Sequence, residues 1–222
     1  MSRNGTDDNH SMGKRLFDIF FSSLGLLILL PLFTVVALLI KRDSEGPVFF
    51  RQERIGRNFK IFRIYKFRTM TINQERECPL ITVGGDTRVT GFGSFLRKYK
   101  IDELPQLLNV LRGEMSLVGP RPEVKKYVQL FKPEYERLLK VRPGITDFAS
   151  LRYAEEERVL ALSDNWEEEY MEKILPEKIT LSLRYVENHN IFTDVGLIVR
   201  TIFKTSRTIS RNSGELYGRN SC

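Results

Sequence analysis

Two adjacent carboxylates, Asp102 and Glu103, open the segment Ile101-Asp102-Glu103-Leu104-Pro105-Gln106-Leu107. Proline is tolerated only in the first turn of a helix, so Pro105 places the pair at a helix N-terminus. There the helix dipole and free N–H groups favour the ionised form. An ionised carboxylate can act as a nucleophile, or hold Mg²⁺ through one oxygen while the metal keeps phosphate and water ligands. Plain N-terminal capping is the competing reading, because acidic residues are ordinary at that position.

Two arginines are held in stiff backbone. Arg121 lies in Val118-Gly119-Pro120-Arg121-Pro122, with proline on either side, and Arg142 precedes the turn Pro143-Gly144. A guanidinium presented from a stiff turn loses little entropy when it forks onto a phosphate, although either could equally form a structural ion pair. Lys66 and Arg68 alternate onto one face of a strand, and Arg97 precedes the carboxylates. With Arg121 they could neutralise a diphosphate. The competing reading is a solvated basic face, which accounts for Arg51, Arg54 and Arg57. The runs Glu155-Glu156-Glu157 and Glu167-Glu168-Glu169 read as solvated helix faces.

Other chemistries lack their residues. The chain of 222 residues has two cysteines, Cys78 and Cys222, which excludes a disulfide framework or a cysteine-rich zinc site and fits a reducing compartment. His10 and His189 sit far apart in sequence, giving no support for a His-based triad or zinc site. Gly91-Phe92-Gly93 is too short for a phosphate loop. Net charge is +7, and residues 51–100 hold twelve basic and four acidic side chains, so the positive field is concentrated there. Nucleic acid, anionic lipid and nucleotide phosphates are all candidate partners for such a field.

The elements that must position these groups begin with an apolar run from Leu16 to Ile40, flanked by Lys14-Arg15 and Lys41-Arg42. Only Asp18, Ser22, Ser23 and Thr34 are polar within it, so about 25 residues qualify as a membrane element. Pro31 predicts a kink or break, and the matched basic flanks give no orientation. A helix-break-helix returning to the same face and a proline-kinked spanning helix both satisfy these facts. Residues 48–54 and Ile61–Met70 predict a β-hairpin around Gly56, and residues 71–93 a loop. Helical spacing follows at Phe95–Tyr99, Pro105–Leu111 and Glu123–Lys140, then around Trp166, Tyr170 and Ile174, and again at Ile179, Leu183 and Val186. The stretch Ile191–Phe203 is apolar enough to lie at a membrane interface or on the core. The expected class is α+β and mostly helical.

Taken in order, Lys14-Arg15-Leu16-Phe17-Asp18, Pro31, Tyr65–Met70, Asp102–Leu107, Asn109–Ser116, Val118–Pro122 and Val141–Thr146 closely resemble the bacterial sugar transferases. Within that family the likeness is to the small monotopic polyprenol-phosphate phosphoglycosyl transferases. The resemblance implies a re-entrant membrane helix at 13–42 with its break at Pro31, between a flexible tail at 1–12 and a cytoplasmic catalytic domain at 43–205 with amphipathic interface helices. A second flexible tail follows at 206–222. It implies transfer of a phosphosugar from a UDP-sugar to undecaprenyl phosphate at the bacterial inner membrane, releasing UMP, as a first membrane step of polysaccharide or glycoconjugate biosynthesis. Asp102 matches the family's nucleophile, which forms a covalent aspartyl-phosphosugar. Mg²⁺ is expected on Asp102 and the diphosphate with Glu103 as acidic partner, and Arg97 and Arg121 match arginines near the phosphates.

One segment departs from the pattern. Many members continue after the equivalent of Ile145-Thr146 with Gly-Trp-Ala-Gln-Val-Asn-Gly-Arg, whereas this chain reads Asp147-Phe148-Ala149-Ser150-Leu151-Arg152-Tyr153-Ala154. Arg152 is the residue that could supply the missing charge. Inner-membrane lipid is an expected partner, nucleic acid is not, and a second copy of the chain could dock on the C-terminal helices. Two other readings differ in product. A membrane-anchored module binding anionic ligands would turn nothing over, and a glycosyltransferase would release UDP.

Overall fold

A computed structural model of the chain describes residues 4–71, 86–154, 156–161, 163 and 165–218, with side chains left undescribed at 4–11, 157–158 and 205–218. Most of the expected loop 71–93, with Pro79 and Gly84-Gly85, lies outside the described residues, as do both cysteines.

The architecture is mostly helical with two small sheets, in line with the expected class. Helix α1, Asn4–Asp43, remains helical through Pro31, where a break is expected. Backbone at 4–12 and 206–218, expected as tails, continues α1 and the last helix. Strands β1 (Phe49–Ile55) and β2 (Ile61–Phe67) form the expected antiparallel hairpin, in register from Phe49 opposite Phe67 to Ile55 opposite Ile61. The alternation of β2 fails towards its end because both faces are covered. Phe62 and Ile64 pack with Val110 and Met115, while Phe67 packs with Val36, Ile40 and Leu96. A strand buried on both sides loses its polar face.

Helix α2 (Gly91–Lys98) begins earlier than its periodicity suggests. Gly91-Phe92-Gly93, read as loop, forms its first turn, and the Thr90 side chain accepts from the Gly93 N–H at 2.9 Å. Helix α3 (Gln106–Arg112) follows Pro105 and ends on Gly113, whose φ of 80° is the left-handed conformation that closes many helices. Helices α4 (Lys125–Leu130) and α5 (Lys132–Leu138) replace the single helix expected over 123–140. The first turn of α5 carries Pro133, which has no N–H to continue α4.

Strands β3 (Ser116–Val118) and β4 (Gly144–Thr146) form a parallel pair that the sequence pattern does not reveal, being three residues each. The pair depends on two glycines. A Cβ at Gly144 would lie 2.0 Å from the Gly119 nitrogen, and one at Gly119 would lie 2.5 Å from the Arg142 oxygen. Helix α6 (Phe148–Arg152) starts on Asp147, whose carboxylate accepts from the Ser150 N–H at 2.7 Å and from Ser182 Oγ at 2.6 Å. Helices α7 (Glu156–Leu160) and α8 (Trp166–Glu169) lead through a π-turn at Tyr170–Ile174 into α9 (Leu175–Asn188). Helix α10 spans Ile191–Gly218. The largest core gathers Tyr127, Tyr135, Leu138, Leu160, Tyr170 and Leu175.

Both parts of α1 are gripped by the rest of the chain. Near its start, Arg15 donates to the Val110 and Leu111 carbonyl oxygens at 2.6 and 2.8 Å, capping the C-terminus of α3. Asp18 Oδ1 accepts from the Leu117 N–H at 3.1 Å, and Lys14 pairs with buried Asp194 of α10. Near its end, Arg68 Nη2 donates to the Ser44 carbonyl oxygen at 2.6 Å, and the Phe33 ring meets Phe67 edge-on at 5.1 Å. Between these grips α1 exposes Phe20, Leu24, Leu27, Ile28, Leu30 and Leu38. By length and composition α1 could cross a membrane.

Candidate active site

The site forms where β2, α3 and the turn after β3 converge. Asp102 and Glu103 occupy a single 3-10 turn, Ile101–Glu103, just ahead of Pro105 and α3. Lys100 precedes them with φ 56° and ψ 21°, a left-handed conformation uncommon for a side chain of this kind. Asn109 holds α3 against β2. Its Oδ1 accepts from the Tyr65 N–H at 2.9 Å, and its Nδ2 donates to the Arg63 oxygen and to Glu114 Oε2, both at 2.8 Å. That register carries Lys66, next along β2, towards the carboxylates.

Glu103 has both oxygens engaged. Lys66 Nζ donates to Oε1 at 2.7 Å, and Arg121 reaches Oε1 through Nη2 and Oε2 through Nη1, the latter at 3.2 Å. Burial alone would raise the Glu103 carboxyl, but the charges of Arg121 and Lys66 outweigh it and hold Glu103 well below the usual carboxylate range. The same pairing raises the Arg121 guanidinium, chiefly through the Glu103 charge.

Asp102 behaves oppositely. It is 7 % exposed, and its buried Oδ1 has no hydrogen-bond partner among the described residues. Burial, then the Glu103 charge, pushes its carboxyl up to about 6, against the opposing charges of Lys66, Lys100 and Arg97. The Asp102 anion is therefore less favoured than a helix N-terminus alone would make it. At Glu103 the anion is favoured, by direct cation contact. The residue at the N-cap of α3 is Pro105 rather than either acid, and the Glu103 oxygens go to Lys66 and Arg121. Two adjacent carboxylates driven apart in this way is the pattern that separates a reactive group from a charge-holding one.

The other expected residues divide between the site and elsewhere. Lys66 and Arg121 meet on Glu103, and Arg97 lies near enough for its charge to act on Asp102. Arg68 is 5 % exposed and caps the end of α1. Arg142 Nε donates to the Gly113 oxygen at 2.9 Å, beside Arg15 and Arg57 rather than Glu103. Arg152 is exposed on α6 and faces Glu177 at 3.7 Å, so its observed partner is a surface carboxylate.

Two readings of solvated charge need correction. Arg54 is half-buried rather than solvated, faces Glu123 at 3.5 Å, and is depressed by its partial burial with some relief from the Glu123 charge. Glu156 accepts from buried Lys178 at 2.9 Å. Lys100 was missed because nothing in local sequence announces a left-handed lysine.

The residues can be tested for a divalent ion. Among the described residues no group of three or more His, Cys, Asp and Glu side chains gathers. Mg²⁺ commonly takes one or two carboxylates and completes its shell with phosphate and water, so the free Oδ1 of Asp102 fits. Glu103 would have to release Lys66 or Arg121 from an oxygen to join it.

The sequence that builds this site has relatives. The bacterial sugar transferase family profile matches residues 9–208. The chain is 39 % identical over 209 residues to the UDP-N-acetylgalactosamine-undecaprenyl-phosphate N-acetylgalactosaminephosphotransferase of Aeromonas hydrophila, covering 90 % of this chain and 44 % of that protein. It is 37 % identical over 196 residues to the UDP-glucose:undecaprenyl-phosphate glucose-1-phosphate transferase of Klebsiella pneumoniae, covering 86 % and 39 %. With the exopolysaccharide production protein ExoY of Sinorhizobium fredii (strain NBRC 101917 / NGR234) it shares 34 % over 206 residues, 86 % of this chain and 84 % of that protein. The chain thus spans about two fifths of the first two and most of the third. With the carboxylate pair, the Arg121 turn and the apolar first helix all inside the matched residues, the chain belongs to the bacterial sugar transferase family.

Proposed function

We propose that this chain transfers a phosphosugar from a UDP-sugar to undecaprenyl phosphate, releasing UMP and forming undecaprenyl-diphosphate-sugar. The observation that carries the reading is Asp102, a buried carboxylate with an unpartnered oxygen, beside a Glu103 already neutralised by Lys66 and Arg121.

In the first half-reaction an Asp102 oxygen attacks the sugar-bearing phosphorus. The bond from that phosphorus to the bridging oxygen breaks, its electron pair leaves on UMP, and an aspartyl-phosphosugar remains. In the second, a phosphate oxygen of the lipid attacks the same phosphorus and the Asp102 carboxylate is released. Carboxylate attack on a diphosphate needs cations at the developing charge, which Arg121 and Lys66, both held on Glu103, supply together with nearby Arg97. Bound Mg²⁺ would add Lewis-acid charge neutralisation at the diphosphate. Glu103 keeps Lys66 and Arg121 together while the donor is absent.

The water-insoluble acceptor calls for a site at a bilayer surface, and α1 supports one. A single folded unit grips α1 at Arg15 and Asp18 and again at Ile40 and Ser44. That arrangement favours both ends lying on one side of the membrane, in the monotopic, re-entrant sense, and Pro31, inside the continuous helix, is the position at which a bend would let the segment turn back. Helix α10 adds exposed Phe192, Val195, Val199 and Ile202 beside it. In this reading the catalytic part faces the cytoplasm at the inner membrane, where nucleotide sugars are made.

The test is a screen of UDP-sugars with full-length, detergent-solubilised protein, MgCl₂ and undecaprenyl phosphate. UMP as the nucleotide product supports the reading. UDP would mean a glycosidic transfer, and salt-sensitive binding without turnover would mean a binding module.

A further inference from the structure

A chain of charges, buried at Glu123 and Lys178 and half-buried at Arg54 and Glu156, stands behind Arg121. Arg54, near the end of β1, donates Nη1 to the Pro122 carbonyl oxygen at 3.3 Å and faces Glu123 Oε2 at 3.5 Å. Glu123 is 7 % exposed; its Oε1 accepts from the Tyr170 hydroxyl at 3.0 Å. Lys178, equally buried, donates to the Tyr170 oxygen at 3.2 Å and to Glu156 at 2.9 Å. The Ile55 N–H closes the arrangement on the Glu123 carbonyl oxygen at 3.0 Å. Tyr170 opens the π-turn at Tyr170–Ile174, a local widening found often near functional sites.

Buried ion pairs are a poor source of stability, because desolvation consumes most of what their attraction returns. What these side chains share is a grip on the two residues immediately after Arg121. Proline fixes φ at positions 120 and 122, but the peptide following Pro122 can rotate until Arg54 takes its carbonyl oxygen. Glu123 in turn holds Arg54, and Tyr170 holds Glu123.

We propose that Glu123, seated by Arg54 and Tyr170, is a positioning residue that fixes the angle at which Arg121 meets Glu103 and then the donor diphosphate. It touches no reacting atom and acts through Arg121. The proposal rests on the function proposed above.

The experiment is a mutant cycle on the full chain, reading UMP release at high enzyme concentration with whichever of UDP-glucose, UDP-N-acetylgalactosamine and other UDP-sugars the wild type turns over. Glu123→Gln should lower kcat/KM for the donor by about ten- to a hundred-fold, the scale of a misplaced orienting group. In an Arg121→Ala background the same change should cost less than about two-fold, because its effect passes through the missing side chain. Arg54→Lys, which keeps the cation, should recover activity relative to Arg54→Ala. Where Glu123→Gln fails to fold, Tyr170→Phe deletes one hydroxyl and carries the same cycle. A loss that multiplies undiminished onto Arg121→Ala, or no loss in the wild-type background, overturns the positioning role. A wild type that releases no UMP from any donor overturns the functional reading and this one with it.

Discussion

Arg121 closes on Glu103 as a fork, one guanidinium nitrogen to each carboxylate oxygen, with Lys66 on the shared side. The fork leaves Asp102, one residue earlier, as the carboxylate with an unsatisfied oxygen. In this account the two acids hold different jobs because one has its cations in contact and the other does not.

Arg121→Ala should reduce kcat/KM for the donor by about a hundred- to a thousand-fold, the usual cost of losing one preorganised charge stabiliser. Arg57→Ala, on an exposed side chain, should stay within about two-fold of wild type. Parallel steady-state kinetics on the two variants check this; equal losses would remove the argument for a clamp.

The Asp102 carboxyl near 6 predicts a pH profile. The nucleophile is the anion, so donor-dependent UMP release should fall as pH drops through about 6 and level off above it. The Glu103 charge helps raise Asp102, so Glu103→Gln should move that midpoint to lower pH while cutting the maximal rate. A midpoint that moves upward would contradict the electrostatic assignment.

How far the site was legible in sequence follows from what local sequence encodes. Proline and spacing exposed Asp102, Glu103 and Arg121, because fixed φ is a property of the chain itself. The hairpin was legible through alternation and turn residues. Arg54 and Glu156 read as solvated because charge does not report partners: each is half-buried against a charge distant in sequence, Glu123 and Lys178. Arg68 and Lys66 were paired on one strand face, but β2 ends at Phe67 and Arg68 turns to the end of α1. Strands β3 and β4 are too short for periodicity to register, and their pairing depends on a close approach visible only in three dimensions.

That close approach gives a stability prediction. Gly144→Ala places a Cβ on the Gly119 backbone, which has no flexible end to move aside. The change should cost at least ~1–3 kcal/mol, the range for forced overpacking, read as a lower midpoint of thermal unfolding in detergent. Gly196→Ala, inside α10 and with a Cβ that meets nothing within 4 Å, is the unclashed control and should raise the midpoint slightly, because alanine favours a helix interior over glycine by about 1 kcal/mol.

Topology can be checked in sealed vesicles. With Cys78 and Cys222 replaced by serine, Gly5→Cys and Asn212→Cys should be labelled from the same side by an impermeant maleimide. Pro31→Ala restores the backbone donor missing inside α1 and should move part of the population to opposite-side labelling. Labelling of the parent from opposite sides would mean that α1 spans.

The most direct measurement is rapid quenching of the full chain with UDP-sugar radiolabelled in the sugar, with Mg²⁺ and without undecaprenyl phosphate. Label bound to the polypeptide together with released UMP is expected, both absent in Asp102→Asn, with discharge of the label when the lipid phosphate is added. Product formation with acceptor present but no label ever on the polypeptide would contradict it.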